Sequence, residues 1–290
     1  MLFEVKKQLE HGTKNPIVAR LTLQTLELLK ESSLPKEKTD KIGEIYVASL
    51  VKELLRCWEI KEQLEIERAK AHASYKPPGR NEPAAHVPQI PWLEEECRNF
   101  LYEAKNFLRD LVTVFNLLHG TRLKEEASSW VLADGEPGPL MKHIVNTYGP
   151  DHANTRYISQ LPKCIAPYIA MRNAVEHPKG YSGELKIENI LLGADGKLVD
   201  ARSRRDKEGK IEYGPLDIIQ ELGVGVHNLL VLSEDILVMA LQTKLAMPDA
   251  TMIAVIPESA RNPECAIKYR IEPNARLMAA IATAHQASQR

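Results

Sequence analysis

No two cysteines in this 290-residue chain stand at the spacing of a metal ribbon or a redox pair, because Cys57, Cys97, Cys164 and Cys265 are far apart. A zinc ribbon and a Cys-x-x-Cys dithiol are excluded, and the four thiols read as reduced side chains of a cytoplasmic protein. Neither sign of charge dominates. With 38 Lys and Arg against 39 Asp and Glu the net charge is −1, so no global field attracts nucleic acid and any polyanion must be met by a local patch. Long apolar runs are also missing. The start, MLFEVKKQLEHG, lacks the core of a signal peptide, and the most apolar segment, 222–241, is interrupted by His227, Asn228, Ser233, Glu234 and Asp235. No membrane span is expected from either.

Several chemistries are absent as patterns. The nine histidines show no His-x-x-x-His spacing, Ser128 and Ser129 have no nucleophile elbow around them, and the GVG at 223–225 lies inside a helical pattern rather than after a strand. Neither a metal nor a cofactor is expected. Trp58, Trp92 and Trp130 read as core or loop anchors. No internal repeat is visible.

What is present is helical periodicity. Residues 17–31 and 42–72 carry apolar residues at three- and four-residue steps, among them Val47, Leu50, Val51, Leu54, Leu55 and Trp58. A loop over 73–92 holds Pro77, Pro78, Pro83, Pro88 and Pro91, which lack amide donors and block helix continuation. Helix 93–119 has the clearest stripe, running from Leu93 and Cys97 through Phe100, Leu101, Ala104, Leu108, Leu111, Val112 and Phe115 to Leu118. DGEPGP at 134–139 reads as a turn, followed by a short helix to Tyr148 and a further helix over 160–176.

Beyond residue 182 the period changes from 3.6 to 2. ELKIENILL, KLVDARS and KIEYG, separated by GADG and DKEG, predict a three-stranded antiparallel meander. Gly214 and Pro215 are expected to open a central apolar helix that runs to Lys244. TMIAVIP and AIKYRIEP are two further strands, expected to complete one small sheet with the meander, and 275–288 a terminal helix. The fold class is thus mainly α, an antiparallel helical bundle with a small antiparallel β-sheet insertion. Its segments are 1–41 (N-terminal helical), 42–182 (bundle with the Pro-rich loop), 183–214 (β-meander), 215–245 (central helix) and 246–290 (two strands and tail).

The stretch RNAVEHPKGY, 172–181, carries the candidate chemistry. On a helical wheel Leu161, Ile165, Tyr168, Ile169 and Val175 share one side, and Arg172 falls among them. A guanidinium there needs a partner, and Glu176, four residues on, offers one. The residue before proline is biased away from the α region, so the helix is expected to end at Glu176 with His177 leaving the cylinder. RSRRDKEGK, 202–210, gathers Arg202, Arg204, Arg205, Lys207 and Lys210 at what reads as a hairpin, a candidate grip on backbone phosphates. Lys268, Arg270 and Arg276 read as extending that surface.

RNAVEHP resembles the Arg-x-x-x-x-His signature of the HEPN superfamily, with Asn173 as the polar residue after the arginine. The resemblance covers the motif and the helical order of 42–245. It implies a helical bundle that dimerises so that two motifs face each other, and metal-independent endoribonuclease activity in a toxin or defence setting. Arg172, Asn173 and His177 would then be catalytic, with Lys179, Arg202, Arg204 and Arg205 binding RNA, and a protein antitoxin or regulator as a further partner. The toxin branch has His-x-Tyr, whereas this chain has His177, Pro178 and Lys179, with Tyr181 two places later. The alternative is a non-catalytic helical module that binds a nucleotide or a protein, with Arg172 held in a structural salt bridge.

Overall fold

A computed structural model describes residues 11–77, 86–132 and 136–279. Pro78 and Pro83 of the proline-rich loop, Asp134 and Gly135 of the expected turn, residues 280–288 of the expected terminal helix and the Leu161 side chain lie outside the described residues. In chain order the helices are α1 (Pro16–Val18), α2 (Thr25–Lys30), α3 (Lys36–Ile45), α4 (Val51–Ser74), α5 (Leu93–His119), α6 (Pro139–Tyr148), α7 (Ala153–Ile158), α8 (Leu161–Glu176) and α9 (Ile218–Leu241). Wider π-type turns, Ala19–Gln24 and Tyr46–Leu50, join α1 to α2 and α3 to α4. The strands are β1 (Glu184–Glu188), β2 (Leu191–Leu192), β3 (Leu198–Val199), β4 (Arg202–Lys207), β5 (Lys210–Asp217), β6 (Thr251–Val255) and β7 (Tyr269–Pro273). At 57% helix with small antiparallel sheets the chain is mainly α.

Two compact units interleave along the sequence, one of Met1–Lys52, Asp110–Arg122 and Leu230–Arg290, the other of Glu53–Arg109 and Leu123–Leu229. The first unit is organised around a buried carboxylate. Glu234, whose side chain is 1% exposed, accepts from Arg20 Nε at 2.6 Å, from a second guanidinium nitrogen of Arg20, and from Gln24 Nε2 at 2.8 Å. Gln24 Oε1 in turn accepts the backbone N–H of Lys268 at 2.6 Å and of Tyr269 at 2.8 Å, so one amide fastens β7 to the carboxylate that its own nitrogen satisfies. A carboxylate taken this far from water persists only because both of its oxygens have donors.

The second unit holds α4 from Glu53, α5 as far as Arg109, α6, α7, α8, the β1-β4-β5 sheet and α9 as far as Leu229; the remaining residues of α5 and α9 belong to the first unit. Glu94, Glu95 and Glu96 in the first turn of α5 face its positive dipole end, and Gly120 at φ +68° lets the chain turn off its last carbonyls. Every residue of the expected stripe of α5 is buried, and so are Phe107 and Val114, which widens the apolar face. α9 starts where Asp217 Oδ1 accepts Gln220 N at 3.0 Å, an N-cap. At Gly225 α9 passes so close to α8 and α5 that a Cβ would lie 2.9 Å from Tyr168 and 3.0 Å from Phe100. That glycine is there for packing. α9 is long and apolar enough to cross a membrane, but 72% of its most apolar window is buried, as in a core helix.

Four expectations are corrected. KLVDARS is not one strand: Leu198 and Val199 pair with β2 in a separate hairpin, and RSRRDK forms β4, the centre of the three-stranded sheet. The hairpin tip is only Glu208 and Gly209, both at positive φ, as a two-residue turn requires. Gly214 and Pro215 do not open α9 but lie within β5, whose Leu216 and Asp217 still pair with Ser203 and Arg202. β6 and β7 form their own two-stranded sheet rather than completing the first.

Candidate functional site

α8 ends as its sequence dictates. The His177 backbone leaves the helix at φ −128°, ψ 69°, its N–H still bound to Asn173 O at 2.9 Å, and Pro178 follows. The buried stripe of the helix is Ile165, Tyr168, Met171 and Ala174, whereas Ile169, Val175 and Arg172 are half-buried on its flank. The three-residue repeat puts Met171, not Arg172, in the core. Arg172 therefore does not lie inside the apolar stripe but along its edge, where it lines a cleft of about 660 Å³ in the second unit.

Around Arg172 the polar groups are tightly ordered. Its guanidinium pairs with Glu176 Oε1, one turn on, and donates from Nη1 to Asn173 Oδ1 at 2.8 Å. Glu176 Oε1 also receives Lys105 Nζ at 3.4 Å, and Oε2 lies 4.0 Å from His177 Nε2. One carboxylate thus stands between the guanidinium and the imidazole. Its side chain is 22% exposed and that of Arg172 12%, while that of His177 is 65% exposed and is not part of the cleft lining. Arg172 Nε is buried without a hydrogen-bond partner, so this group is not fully satisfied by the pairs that hold it.

The cleft is cationic. Lys105, Lys163, Arg172, Arg205 and Lys207 line it against two carboxylates, Glu126 and Glu212, in a chain whose net charge is −1. Strand alternation explains which arginines of β4 take part. Arg205 and Lys207 point to one face with Ser203, which is 1% exposed, whereas Arg202, Arg204 and Asp206 point to the other. On that other face Arg204 pairs with Glu188 at 2.7 Å and Lys186 with Asp206 at 2.8 Å, cross-strand diagonals that hold the Asp206 carboxyl below the ordinary carboxylate range, Lys186 first and Arg204 after it.

Of the residues predicted to bind RNA, then, Arg205 lines the cleft and Arg202, Arg204 and Lys179 do not. Lys179 is exposed at φ +66° in the turn after α8. In the first unit, Lys268, Arg270 and Arg276 each approach an acid, Asp235 at 3.8 Å, Glu272 and Asp249 at 3.6 Å respectively. Sequence reading missed Lys105, Lys163, Tyr181 and Tyr213 as lining residues, since helix α5 and the segments around it carry no local signal of which polar side chains face a cleft. Tyr213 donates to Glu221 Oε2 at 2.6 Å, and burial, then that carboxylate, push its phenol above the ordinary tyrosine range. Among the described residues no group of three or more His, Cys, Asp or Glu side chains is placed to hold a metal ion. No family model matches the chain, and neither does any curated protein or solved structure.

Proposed function

We propose that this chain is an RNA-binding protein of HEPN type that cuts a strand running through the cationic cleft and out past the end of α8, with Arg172 and Asn173 on the phosphate and His177, exposed outside the cleft lining, moving the proton. The observation that carries the reading is the cleft itself: four further cations, Lys105, Lys163, Arg205 and Lys207, line it with the guanidinium of the Arg-x-x-x-x-His segment. A polyanion crossing it meets a local positive field that the chain as a whole does not have. Arg172 engages two non-bridging oxygens through its planar fork once it exchanges Glu176 for phosphate. Asn173 keeps the guanidinium in place from its Oδ1.

An imidazole can both take up and give off a proton, so it serves as base or acid. Cleavage through the 2′-hydroxyl needs both roles: the 2′-oxygen loses its proton as it bonds to phosphorus, and the departing 5′-oxygen gains one as its bond to phosphorus breaks. His177 supplies one role, and because its ring is exposed at the end of α8, His177 of the partner subunit supplies the other in a homodimer. The second reading, favoured by the Arg172–Glu176 pair, is a binding module in which Arg172 is structural and no bond is cut.

RNA incubated in EDTA with the wild type, Arg172→Ala and His177→Ala separates the two. The nuclease reading expects cleavage by the wild type and its loss in both variants. Binding without cleavage by all three leaves the module, and equal cleavage by all three removes the site.

A further inference from the structure

We propose that Tyr181 is a stacking platform for an unpaired base, so that the ligand of the cleft is a single strand rather than a duplex or a bare phosphate. The inference rests on the phosphate reading of the cleft and adds the identity of what the phosphates belong to. Tyr181 lines the same cleft as the five cations, and it is 53% exposed. A single exposed aromatic is ordinary. What sets this one apart is how firmly its backbone is held while its ring is left in solvent. Lys179 N donates to Gly183 O at 3.0 Å, Gly180 N to His177 O at 2.9 Å and Gly183 N to Gly180 O at 2.9 Å. The carbonyl of Ser182, itself buried, accepts Arg205 Nη1 at 2.9 Å, which ties the turn to a cation of the cleft. Gly183 is at φ +79°, and a Cβ there would lie 2.1 Å from the carbonyl oxygen of Asp206, so the turn closes against β4 only with glycine.

The ring is therefore presented in advance, at little entropic cost to a ligand, beside groups that attract phosphate. Bases in a duplex are stacked on one another and offer no face to it, whereas each base of a single strand does. A strand whose phosphates run past Arg205 and Lys207 brings a base to Tyr181 with no need for sequence readout.

Fluorescence anisotropy with 2′-O-methyl oligo(A), which has no free 2′-hydroxyl to attack, and with an abasic strand of equal length tests this. The wild type is expected to bind oligo(A) about tenfold more tightly than the abasic strand. Tyr181→Ala is expected to lower oligo(A) affinity to the abasic level while leaving abasic binding unchanged, which also reports that the variant is folded; Tyr181→Phe is expected to keep the difference. Equal wild-type affinity for the two strands overturns stacking and leaves the phosphate cleft standing. Binding of neither strand overturns the cleft reading and the platform with it.

Discussion

Replacing Glu176 by glutamine should lower stability and raise affinity for RNA at the same time. The carboxylate holds Arg172 and Lys105, so it both ties α8 to α5 and occupies the cations that a phosphate would use. Glutamine keeps the shape and one acceptor oxygen but removes the charge. Exposed ion pairs contribute about 0–1 kcal/mol and breaking a fully buried one costs about 3–5 kcal/mol, so a pair 12% and 22% exposed falls between. A loss of roughly 1–2 kcal/mol lowers the melting temperature of a 290-residue chain by about 2–3 °C.

Binding should move the other way. A negative charge about 6 Å from a bound phosphate, at an effective dielectric of about 40, opposes it by about 1.4 kcal/mol, so its removal tightens binding about tenfold. Screening shrinks that gain as salt rises. Differential scanning fluorimetry reads the first effect, and anisotropy with a labelled single strand at low and moderate salt reads the second. Glu176→Gln binding no more tightly than the wild type would refute the idea that the carboxylate stands in for phosphate. Unchanged melting would refute its role in holding the two helices. Arg172→Ala provides the contrast: it loses the same ion pair and the bond to Asn173, so it too should melt lower, but it removes a phosphate ligand and should bind RNA more weakly, not more tightly.

Two further outcomes follow from pairs outside the cleft. Arg20→Met strands the Glu234 carboxylate, 1% exposed, and should cost about 3–5 kcal/mol in a urea melt, while adding Glu234→Gln should recover part of that loss; equal stability of both variants would show that the pair is not a closed unit. The folded-state pKa of Asp206 is depressed by Lys186, so its contribution is present above the unfolded carboxylate pKa and is lost as pH falls through the lower folded value. Lys186→Met should raise the midpoint of the Asp206 carboxyl carbon in an NMR titration toward the ordinary aspartate value, and an unmoved midpoint would assign the shift elsewhere.

The helical half of the fold was legible because burial on one face imposes a period. α5 and α8 appear where their apolar residues recur, and α8 stops at Glu176, with His177 before Pro178 already out of the helix for a steric reason local to three residues. The β region was legible as strands but not as pairings. Leu198–Val199 and Arg202–Lys207 both alternate, yet which of them crosses ELKIE depends on a turn elsewhere and on two residues, Asp200 and Ala201, that break the run. The short extent of α9 at its N-terminus was hidden for the same reason: Leu216 and Asp217 suit either element, and the β4 partner decides.

By itself the sequence determined the elements with a strong local period, the exit of His177 from its helix, and an available i,i+4 partner for Arg172. Tertiary structure alone decided that Met171 is core while Arg172 turns to a cleft, that Lys105, 71 residues from Glu176, shares its carboxylate, and that Arg205 faces the cleft while Arg204 faces away. The physical reason is range. Backbone sterics and helical period act over a few residues, whereas a charge is satisfied by whatever group the folded chain brings within about 4 Å of it.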